Sequence, residues 1–93
     1  MDGYVQKQYK DLEQLTDEAL CLELQSGNVA AGDILAYRYR RLVRCCAHPY
    51  FLAGGDSEDL LQECMFGLVK AMREFRPDRE ASFQTFAEVC IRR

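Results

Sequence analysis

The apolar residues between Ser57 and Phe75 recur every three or four positions, which is the spacing of one face of an α-helix. No stretch of the chain keeps the strict apolar–polar alternation that is typical of a half-buried strand. The chain is therefore predicted to be all-α. The buried stripe of helix 57–75 is predicted to consist of Leu61, Cys64, Met65, Leu68, Met72 and Phe75.

Cap and turn residues divide the rest of the chain into further helices. Thr16 is predicted to cap a helix over 17–26, because a threonine hydroxyl accepts a hydrogen bond from the first turn. A second helix is predicted over 31–51, and Ser82 is predicted to cap a last helix. The predicted fold is a compact bundle of three to four helices joined by short loops.

The length of 93 residues suits a single domain. Residues 1–14 are polar and are expected to be a flexible N-terminal segment, so the domain is expected to span 15–93. No apolar run approaches the roughly 20 residues that cross a bilayer, and no signal peptide is recognisable. We therefore expect a cytoplasmic protein without a membrane partner.

The formal net charge of −3 argues against a free-standing nucleic-acid binder, which usually carries a basic excess. The charge is unevenly distributed, since residues 34–55 hold four arginines and no acidic residue. Either these side chains contact phosphates or they form a solvated helix face, and the sequence leaves both readings open. The run consists of Arg38, Arg40, Arg41 and Arg44.

The cysteines give no sign of a metal site or of catalysis. Cys45 and Cys46 are adjacent and no CxxC occurs, so the spacing does not match structural zinc. The single histidine, His48, has no credible nucleophile as a partner, and the chain has no phosphate-binding glycine loop. We expect buried free thiols, no cofactor and no enzymatic activity.

The outer face of helix 57–75 departs from a plain bundle. Phe66 and Val69 fall among polar residues there, where apolar neighbours rimmed by polar groups are typical of an interaction surface. The alternative is that the first helix or the N-terminal tail covers them. The face consists of Asp59, Gln62, Glu63, Phe66, Val69, Lys70 and Arg73.

Aromatic and basic residues are concentrated near the C-terminus. Aromatic rings beside cations suit stacking on unpaired bases, with the phosphates held by arginine. Aromatic residues at helical spacing are more often core residues, and periodicity does not separate the two cases. The residues concerned are Phe75, Phe83, Phe86, Arg76, Arg79, Arg92 and Arg93.

The segment from Asp59 to Arg93 reads DLLQECMFGLVKAMREFRPDREASFQTFAEVCIRR, and YRYRRLVRCCAHPYF lies before it. Both resemble bacterial RNA polymerase sigma factors, the first in their most characteristic region. The resemblance covers about 15–93, and PYFLAGGDSEDLLQE is most similar to the sporulation and stationary-phase sigma-H branch. It implies domain 2 of a sigma factor.

The resemblance implies two partners within the polymerase holoenzyme. Domain 2 docks on the clamp helices of the largest subunit of the core enzyme, and it recognises and melts the −10 promoter element. The docking positions fall on Asp59, Gln62, Glu63, Met65 and Val69, and Phe66 lies between them on the helix. An anti-sigma factor is a further partner that the resemblance allows.

The melting segment of the family corresponds to residues 83–90. There a flipped adenine of the non-template strand is held by an aromatic platform and nearby cations. By position Phe86 is the platform, Phe75 and Arg79 line the pocket, and Thr85 supplies a polar contact. Phe83, Arg92 and Arg93 complete the predicted DNA contacts, and Arg40, Arg41 and Arg44 are candidate phosphate contacts.

Val89 and Cys90 stand where primary sigma factors have two adjacent tryptophans. We therefore expect an alternative factor with weaker melting. The family's promoter-recognition helix normally continues beyond the position of Arg93, so the chain is expected to be a truncated domain. The alternatives are a degenerate sigma-like module that binds polymerase or a regulator without melting DNA and, less in keeping with the negative charge, an autonomous helix-turn-helix repressor.

Overall fold

The computed structural model describes residues 11–52, 54, 57–77 and 81–92, and their backbone forms α-helices joined by short turns. No strand occurs among these residues, so the all-α prediction is confirmed. None of the described helices is both long and apolar enough to cross a bilayer. The helices are α1 (Asp17–Gln25), α2 (Val29–Arg38), α3 (Arg40–Leu52), α4 (Ser57–Glu74) and α5 (Phe83–Arg92).

The predicted caps of α1 and α5 are confirmed. The Thr16 hydroxyl accepts a hydrogen bond from the amide of Ala19 at 3.2 Å. The Ser82 hydroxyl accepts one from the amide of Thr85 at 3.3 Å. Each bond satisfies a donor that the first turn of a helix otherwise leaves unpaired. Gly27 follows α1 with a φ of 106°, a left-handed conformation that favours glycine, so α1 ends there.

The predicted single helix over 31–51 is wrong, because the chain leaves helical geometry at Tyr39. Its φ of −102° and ψ of 12° separate α2 from α3. The Tyr39 side chain is buried, its hydroxyl donates to the carboxylate of Asp17, and its ring contacts Phe83 edge-on at 5.3 Å between centroids. These contacts with distant residues outweigh the local preference for one continuous helix.

Helix α4 lies at the centre of the bundle and packs against each of the other four described helices. Most of its predicted stripe is buried, but Leu61 is 37% exposed and Met65 is only partly buried. The prediction for Leu61 is wrong because periodicity gives the direction of a side chain, not whether another helix covers it. The buried residues of α4 and its C-terminus are Cys64, Leu68, Ala71, Met72 and Phe75.

The packed core extends N-terminal to the expected boundary at residue 15. Leu12 is 3% exposed and belongs to the core, and the carbonyl of Glu13 accepts a hydrogen bond from Arg38 at 2.8 Å. Residues 1–10 of the expected flexible segment lie outside the described residues. The segment that leads into α1 is therefore fixed by a side chain of α2.

The backbones of α4 and α5 approach each other closely at Gly67. A Cβ atom at this position would lie 2.8 Å from the carbonyl oxygen of Cys90 and 2.9 Å from the Cα atom of Ile91. Both neighbours are backbone atoms of α5, so they cannot move aside independently. A glycine in the middle of α4 is thus explained by packing, although glycine lowers helix propensity.

We predict that Gly67→Ala destabilises the fold by about 1–3 kcal/mol, because α4 and α5 must separate to admit the methyl group. The measurement is thermal unfolding followed by circular dichroism, where each kcal/mol lowers the melting temperature by about 4–8 °C.

Gly32→Ala is the matched control for this prediction. The nearest atom to a Cβ there is Leu24 Cδ1 at 3.3 Å, the end of a flexible side chain. The gain in helix propensity is up to about 1 kcal/mol, so this variant keeps or slightly raises the melting temperature. Equal losses for the two variants would contradict the close backbone approach.

Candidate functional site

The outer face of α4 is open to solvent. Phe66 is 72% exposed, the highest value among the large exposed apolar residues of the described chain. Gln62 and Glu63 beside it are exposed, and Val69 is partly buried. Neither α1 nor the described N-terminal residues cover Phe66. The structure therefore places this predicted contact surface where a partner can reach it, and its role stays a prediction.

The charge of this outer face changes sign along α4. Asp59 and Glu63 lie toward the N-terminus, and Lys70 and Arg73 lie toward the C-terminus, all four exposed. Acidic residues near the N-terminus and basic residues near the C-terminus also complement the helix dipole. Phe66 lies between the two charged halves.

Four aromatic rings lead from the core to the surface at the C-terminal end of α4. Tyr39 contacts Phe83 edge-on, and Phe83 contacts Phe75 edge-on at 5.6 Å between centroids. Phe75 in turn lies 6.0 Å from Phe86 at a tilt of 56°. Phe83 and Phe75 are 0% and 3% exposed, whereas Phe86 is only partly buried. Within this stack Phe86 is the ring that reaches solvent, and the other rings support it.

An open depression of about 900 Å³ lies beside Phe86. Its volume is within the range of about 300–1,000 Å³ that small-molecule sites occupy. Its described lining holds two arginines and one glutamate, which leaves a formal net charge of +1. The described lining residues are Gln25, Arg73, Glu74, Phe75, Arg76, Pro77, Ala81 and Phe86.

The C-terminal end of α4 is held at the depression by a side chain of α1. Gln25 Nε2 donates hydrogen bonds to the carbonyl of Met72 at 3.0 Å and to the carbonyl of Phe75 at 2.9 Å. The last carbonyls of a helix have no partner within the helix, so this amide satisfies groups that would otherwise depend on water.

The N-terminal end of α5 is held by the same helix. Glu18 Oε2 accepts a hydrogen bond from the amide of Phe83 at 2.9 Å. A carboxylate at a helix N-terminus is favoured by the helix dipole as well as by the hydrogen bond. Helix α1 therefore fixes the two helix ends that border the turn between α4 and α5.

Two arginines of the basic run make contacts within the chain. Arg38 donates to Asp17 Oδ1 and to the carbonyl of Leu15, both at 2.9 Å. Arg40 lies 3.9 Å above the ring of Tyr37. Arg41 and Arg44 are exposed. The structure thus gives Arg38 a structural role that the sequence did not reveal, and leaves Arg41 and Arg44 accessible.

The remaining predicted DNA contacts are distributed as follows. Thr85 is exposed, and its amide is bonded to Ser82 in the cap of α5. Arg92 lies 4.0 Å from Glu88 one turn earlier, at the limit of an ion pair. Arg79 and Arg93 lie outside the described residues.

Burial disfavours the thiolate form of three cysteines. It raises the pKa of Cys21 to about 12, with Asp17 and Glu18 adding to the effect. Burial also raises the pKa of Cys46 and of Cys64. Cys45 is exposed. Among the described residues, no three acidic, cysteine or histidine side chains are placed to hold a metal ion.

Comparison with known families identifies the region that carries this site. Residues 35–93 match the family described as Sigma-70 region 2. This match includes α3, α4, α5 and most of the residues around the depression, whereas α1 lies outside it. No solved structure matches the chain significantly.

Curated relatives agree with the family match and confirm the resemblance to the sigma-H branch. The chain is 46% identical to the RNA polymerase sigma-H factor of Bacillus subtilis (strain 168) over 86% of its own length and 37% of the relative. It is 48% identical to the RNA polymerase sigma-H factor of Bacillus licheniformis over 86% of its own length and 36% of the relative. The ECF RNA polymerase sigma-E factor of Escherichia coli (strain K12) is 35% identical over 71% of the chain and 34% of its own length. The chain thus spans little more than a third of these relatives.

We predict that iodoacetamide at pH 9 alkylates Cys45 in the folded protein and leaves Cys21 unmodified. The thiolate is the nucleophile, and a pKa of about 12 leaves Cys21 with about one thiolate in a thousand at this pH. Peptide mass mapping measures the modification of each cysteine. Both cysteines are alkylated in guanidinium, and equal rates without denaturant would show that Cys21 is not buried.

Proposed function

The chain belongs to the Sigma-70 region 2 family, and from this we propose that it is the part of an alternative sigma factor that binds core RNA polymerase and recognises promoter DNA. In this proposal the outer face of α4 docks on the clamp helices of the largest subunit. The depression beside Phe86 receives an unstacked base of the −10 element. The observation that carries the proposal is the 72% exposure of Phe66 in the middle of a helix that is otherwise central to the bundle.

The outer face of α4 has the chemistry of a protein interface. Phe66 supplies an aromatic anchor, and aromatic residues are enriched among the residues that dominate binding energy. Gln62 and Glu63 form a polar rim that can hydrogen-bond without leaving a buried charge unpaired. The acidic half around Asp59 and Glu63 favours a basic partner surface.

The end of α4 has the chemistry of a single-strand site. Phe86 lines the depression together with Arg73 and Arg76. Taking a base out of a duplex costs a few kcal/mol, and one base–aromatic stack contributes about 1–3 kcal/mol. Phosphate contacts to the arginines offset the remainder. No bond is broken in this step, so no catalytic group is required.

The alternative is a module that binds polymerase without melting DNA. Val89 is 48% exposed on α5, and this aliphatic side chain stands where the family resemblance gives primary factors a tryptophan. Val89 provides no large aromatic wedge. The two functions differ in one respect, since only the first needs the ring of Phe86.

We predict that Phe66→Ala weakens binding of the chain to bacterial core polymerase by about 30-fold or more, because truncation of an interface anchor typically costs about 2–4 kcal/mol. Biolayer interferometry with immobilised core enzyme measures the affinity. Gln62→Ala is expected to weaken binding less, as a residue of the polar rim.

Tyr37→Ala is the control for Phe66→Ala, because Tyr37 is an aromatic residue of similar exposure, 66%, on α2. Helicity and melting temperature of both variants should match the parent chain. Undiminished binding of Phe66→Ala would overturn the proposed interface.

We predict that Phe86→Ala lowers the affinity of the polymerase complex for non-template single-stranded DNA of the −10 element by about 5- to 150-fold, the loss of one base–aromatic stack of about 1–3 kcal/mol. Fluorescence anisotropy of a labelled strand measures it. Binding of the chain to core polymerase should be unchanged.

Phe83→Ala separates stacking from folding. Phe83 is fully buried, so its truncation is expected to cost about 3–5 kcal/mol of stability. Phe86→Ala should cost much less, because Phe86 is only partly buried. If Phe86→Ala unfolds the domain as Phe83→Ala does, Phe86 is a core residue and the assignment of the stacking ring fails. Intact binding of DNA by folded Phe86→Ala would show that its ring does not stack on a base.

A further inference from the structure

Helix α1 has anchors of its own in the bundle. Leu20 is fully buried, and Asp17 accepts hydrogen bonds from Arg38 and Tyr39 at the end of α2. The whole of α1 lies outside residues 35–93, the part of the chain that matches the family. Its hydrogen bonds to the ends of α4 and α5 therefore start from a helix that is itself held in place and that the family match does not include.

Gln25 holds the backbone of the ring that supports Phe86. The amide of Phe75 donates to the carbonyl of Ala71 at 2.9 Å, and the carbonyl of Phe75 accepts from Gln25 Nε2 at 2.9 Å. Both backbone polar groups of Phe75 are thus bonded, and its ring lies 6.0 Å from Phe86 between centroids. The position of Phe86 therefore depends on a residue that Gln25 holds at the end of α4.

Glu18 holds the backbone of the next ring in the stack. The amide of Phe83 belongs to the first turn of α5, where amides have no carbonyl partner inside the helix. Glu18 Oε2 accepts a hydrogen bond from this amide at 2.9 Å. The ring of Phe83 contacts Phe75 edge-on at 5.6 Å between centroids. The two rings behind Phe86 are therefore both held through their backbones by α1.

We propose that Gln25 and Glu18 are positioning residues for capture of the single strand. They act on the strand only through Phe75 and Phe83, which keep the ring of Phe86 at the depression. A site that is populated for part of the time binds with an apparent affinity reduced by that fraction. Each side chain therefore raises the affinity for DNA by keeping the binding arrangement populated. This inference rests on the proposed function, since it assumes a strand bound at Phe86.

The test measures two affinities for each variant of the full chain. Biolayer interferometry with immobilised core polymerase gives the affinity for polymerase. Fluorescence anisotropy gives the affinity of the resulting complex for a labelled non-template strand that carries the −10 element. Circular dichroism confirms that each variant is folded at the assay temperature.

Gln25→Met removes both hydrogen-bond donors and changes neither the charge nor much of the side-chain length. We expect it to lower the affinity for the strand about fivefold or more, the effect of losing one or two hydrogen bonds. The affinity for polymerase should stay at the parent value, because Phe66 lies about two turns before the end of α4.

Substitutions of Glu18 test the other end of the turn with matched charge. Glu18→Gln and Glu18→Met are both neutral and similar in length, but only the glutamine keeps an acceptor for the amide of Phe83. We expect Glu18→Met to bind the strand about fivefold more weakly than Glu18→Gln and to bind polymerase equally well. This pair keeps the proposal testable if Gln25→Met is not folded at the assay temperature.

A double-mutant cycle with Phe86→Ala separates positioning from direct contact with DNA. If Gln25 acts through the stack, Gln25→Met changes the strand affinity by less than about twofold once Phe86→Ala is present. An equal loss in both backgrounds would show that Gln25 acts independently of the stacking ring and would overturn the proposal.

Gln14→Met is the matched control for Gln25→Met, because it makes the same replacement at an exposed residue outside the described lining of the depression. Both of its affinities should equal those of the parent chain. Unchanged strand affinity of folded Gln25→Met would overturn the proposal for Gln25, and equal strand affinities of the two Glu18 variants would overturn it for Glu18. If Phe86→Ala alone leaves strand binding unchanged, the proposed function fails and the inference fails with it, a result distinct from the other two.

Discussion

The end of a helix carries backbone groups that have no partner inside that helix. In this bundle one short helix, α1, supplies partners for such groups at two helix ends. Glu18 of α1 accepts from the first amide of α5, and Gln25 of α1 donates to the last carbonyls of α4. These bonds join residues that are 65, 47 and 50 positions apart. The turn between α4 and α5 is thus held at both sides, and the wall that carries Phe86 depends on α1.

Helix α4 contributes to two surfaces, and Arg73 belongs to both of them. Its outer face exposes Phe66 between acidic and basic residues, and its C-terminus forms one wall of the depression. The close backbone contact at Gly67 joins α4 to α5, so the two surfaces belong to one closely packed helix pair. In the proposed function, docking on polymerase through the first surface brings the second to the promoter.

The sequence predicts structural features that depend on neighbouring residues, and it does not predict features that depend on contacts between distant residues. The caps by Thr16 and Ser82 and the surface position of Phe66 follow from local pattern. The break at Tyr39 does not, because it depends on Asp17 and Phe83. The sequence does not predict the caps by Glu18 and Gln25 either. A polar residue on the polar face of an amphipathic helix is expected to be solvated, and the local sequence does not indicate which distant group it bonds.

Site-specific photo-crosslinking tests most directly whether one surface contacts polymerase and the other contacts DNA. A benzophenone amino acid would replace Phe66 in one sample and Phe86 in another, each in an open promoter complex with core polymerase. The account predicts that position 66 crosslinks to the largest polymerase subunit and that position 86 crosslinks to the non-template strand. Crosslinks from position 86 to protein alone, or from position 66 to DNA, would contradict it.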